Sequence, residues 1–83
     1  MEKDMLDSTA RQFRSAARSY REIADGVSRA LERGPVPAEG EQIVGIVRGS
    51  CLPYIMAGAD AIDEAAERME REVAGLEIGR AHV

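Results

Sequence analysis

Apolar residues recur along the first part of the chain with alternating spacings of four and three positions. This series is listed in chain order: Leu6, Ala10, Phe13, Ala17, Tyr20, Ala24, Val27 and Leu31. A second unbroken series has the same spacing: Leu52, Ile55, Ala59, Ile62, Ala66, Met69, Val73 and Leu76. This heptad pattern is typical of helices that pair along one seam. Two seams of similar length predict an all-α antiparallel hairpin of two long helices.

Helix boundaries follow from capping residues and prolines. The first helix is predicted over about residues 5–33, and a turn over 34–37 contains Gly34, Pro35 and Pro37. A short helix is predicted over 38–48, and the second long helix over 52–75, before a frayed tail at 76–83. Because an interior proline removes a helical hydrogen bond, Pro53 predicts a break at 49–53. Either the helix kinks at Pro53, or it stops near Gly49 and a new helix begins. All of residues 1–83 form one domain.

Charge distribution favours the antiparallel arrangement. If Leu6 faces Leu76, facing positions sum to about 82, and the basic side chains of the first helix lie beside the acidic side chains of the second. The basic residues are Arg11, Arg14, Arg18 and Arg21, and the acidic ones are Asp60, Asp63, Glu64, Glu67, Glu70 and Glu72. Exposed ion pairs contribute only about 0–1 kcal/mol each, so these charges select orientation rather than supply stability.

Some small and apolar residues lie outside the two seams. These candidate partner-binding residues are Ala16, Ile23 and Ala30 on the first helix, Ile43 and Val47 in the middle segment, and Tyr54, Gly58, Ala61 and Ala65 on the last helix. A helix with more than one apolar stripe packs on more than one neighbour. A chain of 9.0 kDa also has little core of its own. We therefore expect dimerisation, with itself or with another helical hairpin, to complete a four-helix bundle. The alternative is that residues 38–48 fold back over this second face.

Composition argues against several classes of function. A single His and a single Cys leave no triad and no metal cluster, so we expect no enzyme, cofactor or metal site. Cys51 is expected to be a small buried hydrophobic residue. The net charge of −4 argues against nucleic-acid binding. No apolar run approaches the roughly 20 residues that cross a bilayer, and the N-terminal segment lacks a signal-peptide pattern.

The segment 59–69, with sequence ADAIDEAAERM, together with the equal Ala-rich heptad helices, resembles the small Trp-Xaa-Gly (ESAT-like) hairpin proteins of type VII (ESX) secretion. The family's Trp-Xaa-Gly turn is not present, and Val47-Arg48-Gly49 lies near its place with Val47 instead of Trp. The family's export signal is not present, since Ala24 follows Tyr20 and Gly58 follows Tyr54 at the position of its acidic residue. The resemblance implies a non-enzymatic protein that is cytoplasmic before export and secreted without a signal peptide. It would act as substrate, partner or targeting helper, and its partner could be the N-terminal region of a larger effector. The alternative function is an intracellular adaptor or small regulator that works by bundle formation.

Overall fold

The computed structural model describes residues 2–33 and 37–81 of the chain. Helix α1 is Glu2–Glu32, and α2 is Ala38–Ile46. A π-helical turn, Val47–Cys51, connects α2 to α3, which is Leu52–Ala81. The described residues contain no strand, and α1 packs along α3 as an antiparallel hairpin. The predicted all-α hairpin is confirmed.

The hairpin is held together along the two predicted seams. All six buried residues of the described part belong to them: Ala10, Ala17, Ala24, Ala59, Ala66 and Val73. Five of the six are alanine, so the helices are in close contact but bury little apolar area. Since hydrophobic stabilisation scales with the apolar area removed from water, this core is thin.

Helical backbone continues from α2 through the π-helical turn into α3, and this differs from the expected break at 49–53. Ile46, Val47 and Leu52 all have right-handed helical backbone angles. The N–H of Leu52 donates to the carbonyl of Val47, five residues earlier, which is the π pattern. The wider turn immediately precedes Pro53, whose ring would otherwise clash with the preceding turn of an α-helix.

The π-helical turn also keeps one side of the long helix in phase. In residues 38–51 only Gly40, Val44 and Val47 are partly buried, and the seam then resumes at Leu52. The step from Val47 to Leu52 is five residues rather than four. A single extra residue in the turn therefore lets both parts of the helix present their inward residues on the same side.

Helix α2 extends beyond the end of α1. A continuous helix over residues 38–81 spans about 66 Å, in agreement with the 68 Å length of the molecule. Helix α1, with 31 residues, spans only about 46 Å. No residue of α2 is buried. The alternative that residues 38–48 fold back over the second face is therefore wrong.

The C-terminal ends of α2 and α3 in the structure differ from the predicted boundaries. Helix α3 continues to Ala81 instead of ending near residue 75, and α2 ends at Ile46 before the π-helical turn. Most of the predicted turn, residues 34–36, lies outside the described residues, as do the last two residues of the predicted tail.

Candidate protein-binding surface

One broad side of the hairpin carries ion pairs between the two helices, and we call it the charged face. Arg14 contacts Asp63 at 3.1 Å and Glu70 at 2.6 Å. Arg21 contacts Asp60 at 2.9 Å and also pairs with Asp63. Together these pairs require antiparallel helices, because Arg21, which is later in α1 than Arg14, reaches back to Asp60, whereas Arg14 reaches forward to Glu70.

The charged face perturbs the ionisation of its own members. Hydrogen bonds from Arg21, and then from Arg14, hold the pKa of Asp63 below its usual range. Hydrogen bonds to Glu70 and Asp63 raise the pKa of Arg14, and those to Asp60 and Asp63 raise the pKa of Arg21. Asp63 is therefore an ionised partner of both arginines, which is a structural role.

Only part of the predicted charge pairing occurs between the helices. Arg11 pairs with Asp7 within α1, and Glu64 and Glu67 pair with Arg68 and Arg71 within α3. Neither Arg18 nor Glu72 forms an ion pair in the described part of the chain. A further cross-helix pair, between Lys3 Nζ and Glu77 Oε1 at 2.6 Å, lies near the open end of the hairpin.

The opposite broad side carries a stripe without charged side chains on α1 and another on the long helix, and we call it the uncharged face. The stripe on α3 ends at Ala65, because Arg68 is next along it and lines a small pocket with Ala61 and Ala65. On α1 the uncharged face contains Met5, Thr9, Gln12, Ala16, Ser19, Ile23, Gly26 and Ala30. On the long helix it contains Ile43, Ile46, Cys51, Tyr54, Gly58, Ala61 and Ala65. Nine positions, or two and a half helical turns, separate Arg14 from Ile23 and Asp63 from Tyr54. The two faces therefore point in opposite directions.

A shallow apolar groove lies near the middle of the uncharged face. Its volume is about 390 Å³, and its lining residues are Tyr20, Ile23, Tyr54, Ile55 and Gly58. Tyr54 is 82% exposed and Ile23 is 55% exposed. Helices from both arms of the hairpin contribute to the groove, so it depends on correct pairing of the two seams.

The structure places most of the predicted binding residues on this face. Ile23, Ala30, Ile43, Tyr54 and Ala61 are exposed, and Ala16, Gly58 and Ala65 are partly buried. Val47 is the exception, because it is partly buried on the inward side of the long helix. Cys51 is exposed, so the expectation of a buried thiol is wrong.

Five of the eight residues of the α1 stripe are not among the predicted binding residues, and four of these five are polar residues or glycine. The five residues are Met5, Thr9, Gln12, Ser19 and Gly26. The signal that identifies them is an absence of charge at alternating spacings of four and three. Charged residues occupy most of the other exposed positions of α1, so this absence is informative.

The described residues form neither a candidate metal site nor a candidate membrane span. In residues 2–33 and 37–81, no three His, Cys, Asp or Glu side chains are placed to hold a metal ion. Within the same part of the chain, none of the helices combines the length and the apolar character that crossing a bilayer requires. No protein-family model, curated protein or solved structure matches the chain.

Proposed function

We propose that this chain is a non-enzymatic interaction protein whose uncharged face binds a second helical hairpin, and that the two hairpins complete a four-helix bundle. The observation that carries this proposal is the distribution of exposed apolar side chains. Eight large apolar side chains are exposed in the described part of the chain. Five of them, Met5, Ile23, Ile43, Ile46 and Tyr54, belong to the uncharged face, and a sixth, Tyr20, lines its groove.

The thin core supports the same proposal. The described residues include no large side chain that is fully buried. Helix α2 is rich in Ile and Val but buries none of its residues. Because an apolar helix is stable in water only when a neighbour covers it, a partner hairpin would supply the missing packing.

We further propose that the biological setting is a type VII secretion system, in which the hairpin acts as substrate, partner or targeting helper of a larger effector. The heptad helices and the segment 59–69 support this setting through their resemblance to the Trp-Xaa-Gly proteins. The uncharged face would then pair with the hairpin of the effector or of a companion protein, and the paired bundle would be the exported species.

Co-expression with hairpin proteins encoded beside its gene tests the proposed function. We expect a complex of defined stoichiometry by light scattering, and loss of that complex in Ile23→Glu. Ala74→Glu is the matched control, because Ala74 is exposed on α3 away from the uncharged face. Export of the complex by a type VII system would support the secretory setting, whereas a complex that is never exported would favour the intracellular adaptor. A complex that forms equally well with Ile23→Glu would contradict the proposed surface.

A further inference from the structure

The contacts between α1 and α3 repeat every seven residues. On α1 the buried alanines lie seven positions apart, and so do Arg14 and Arg21 of the charged face. On α3 the same interval separates the buried Ala59 from the buried Ala66. It also separates the carboxylates of two series, which are Asp60 and Glu67, and Asp63, Glu70 and Glu77. A displacement of α1 by one heptad, or about 10 Å, therefore brings similar residues together again.

Only one direction of displacement keeps the arginines of α1 beside carboxylates. If α1 moves one heptad toward the C-terminal end of α3, Arg21 leaves Asp60 and meets Glu67. If α1 moves the other way, Arg21 meets Pro53 and Met56, which are uncharged. The displaced register shortens the paired seams by one heptad, so the described register buries more apolar area and is the more stable. The hairpin thus has one alternative register that keeps the same types of contact.

The short connection between α1 and α2 opposes that displacement. Because Arg21 pairs with Asp60, Glu32 lies beside about Gly49 of the long helix. Ala38 is then about 16 Å away along the axis, and the helix axes are about 8–10 Å apart, which gives a direct distance of about 19 Å. Five residues join Glu32 to Ala38, and they reach at most about 20–22 Å. A displacement of one heptad raises the distance to about 28 Å, beyond that reach, as long as α2 stays helical and in line with α3.

The part of the long helix that maintains this distance is also the least supported. None of the residues of α2 is buried. Gly45 and Gly49 lie within one turn of each other, and glycine is unfavourable inside a helix. A short helix without tertiary packing is marginal in water. Segment α2 is therefore able to unwind while α1 and α3 remain paired.

We propose that α2 and its short connection restrain the register of the hairpin, and that unwinding of α2 releases α1 to move one heptad toward the C-terminal end of α3. The groove on the uncharged face depends on this restraint. In the displaced register Tyr20 lies beside Ala65 instead of Gly58, and Ile23 is about 10 Å further from Tyr54. A molecule that binds and unwinds α2 would therefore dismantle the groove. This device does not depend on which partner the uncharged face binds.

Distances between two spin labels on the purified full chain, measured by electron paramagnetic resonance, test the proposal. The reporter pair is Ser8→Cys with Ala57→Cys in a Cys51→Ser background, because both labelled positions are exposed and lie on different helices. Insertion of six Gly and Ser residues after Arg33 lengthens the connection without changing any helix. We expect one label distance with the natural connection, and a second population about 10 Å longer with the insertion. The control pair Ala57→Cys with Ala74→Cys lies within α3 and should keep one distance in both chains.

Two matched carboxylate variants identify the displaced register. In the chain with the insertion, Asp60→Asn removes an acceptor that Arg21 uses in the described register, and it should raise the longer population about two- to fivefold. Glu67→Gln, one heptad later, removes the acceptor of the displaced register and should lower that population by a similar factor. A single distance in the chain with the insertion, or equal effects of the two variants, would overturn the proposal. If Asp60→Asn does not fold, the chain with the insertion alone decides, because it keeps every ion pair.

Discussion

The ring of Tyr20 on α1 lies directly over Gly58 on α3. A Cβ atom added at Gly58 would be 3.5 Å from Cε2 and 3.6 Å from Cδ2 of that ring, which is ordinary van der Waals contact. Gly58 therefore leaves room for the ring of Tyr20, although an alanine would also fit at this position. Both residues line the groove on the uncharged face.

Gly58→Ala should stabilise the hairpin. Alanine is favoured over glycine inside a helix by roughly 0.5–1 kcal/mol, and its methyl group would contact Tyr20. We expect the free energy of unfolding to rise by about 1 kcal/mol, measured by urea denaturation. Gly75→Ala is the control, because nothing lies within 4 Å of the added Cβ there. A loss of stability in Gly58→Ala alone would show that the ring is closer to α3 than described.

Substitution of a seam alanine by leucine should destabilise the hairpin. Ala17 and Ala66 are both completely buried between the helices. A leucine at either position would force the helices apart and should cost about 1–3 kcal/mol, measured by thermal or urea denaturation. Ala74→Leu, at an exposed position of α3, should have little effect. Equal stabilities for Ala66→Leu and Ala74→Leu would be inconsistent with the seam.

Acid should weaken the charged face through Asp63. The pKa of this carboxyl is lowered in the folded chain by Arg21 and Arg14, so its ionised form favours folding. Its contribution is fully present above the pKa of an unfolded aspartate and is lost as pH falls through the lower folded value. We therefore expect stability to decline below about pH 4.

The substitution Asp63→Asn isolates the contribution of the Asp63 carboxylate to the stability of the folded chain. The variant should be less stable than the natural chain at pH 7, and the difference should narrow as pH falls toward 2. Thermal melting at several pH values measures this difference, and Ser15→Asn controls for the new amide at an exposed position of α1. A constant difference between the natural chain and Asp63→Asn at all pH values would contradict the assigned role of Asp63.

The helical hairpin was predictable because its seams are local patterns. Every buried residue of the described part lies on one of the two heptad series, and the opposite charges of the two helices specify the antiparallel orientation. The sequence does not predict the π-helical turn, because an interior proline such as Pro53 indicates a break or a kink. The five-residue step from Val47 to Leu52 was present in the sequence, but it becomes informative only if helix is assumed on both sides of it.

Deletions can test whether the π-helical turn keeps the two parts of the long helix in phase. In a Pro53→Ala background, deletion of Gly49 converts the five-residue step to the regular four and removes a helical glycine. Stability should then be unchanged or higher by about 1 kcal/mol. The matched deletion of Ala57 puts the residues before it out of phase with the seam and should strongly destabilise the hairpin. Similar losses for the two deletions would argue against the phase-keeping role of the turn.

The candidate surface was only partly predictable for a different reason. Apolar residues such as Ile23 and Tyr54 stand out in a sequence, whereas Gln12, Ser19 and Gly26 are ordinary exposed residues until the charged face is located on the opposite side. A face defined by missing charge becomes visible only when the positions of the ion pairs, such as Arg14 with Asp63, are known.

The most direct test of the account is the accessibility of a thiol at position 19 in a Cys51→Ser background. Ser19 is exposed in the single chain and belongs to the α1 stripe of the uncharged face. We predict that the labelling rate of Ser19→Cys falls at least tenfold when a partner hairpin is bound, while Ala74→Cys labels at the same rate with and without the partner. A Ser19→Cys thiol that reacts equally fast with and without the bound hairpin would contradict burial of the uncharged face by a partner.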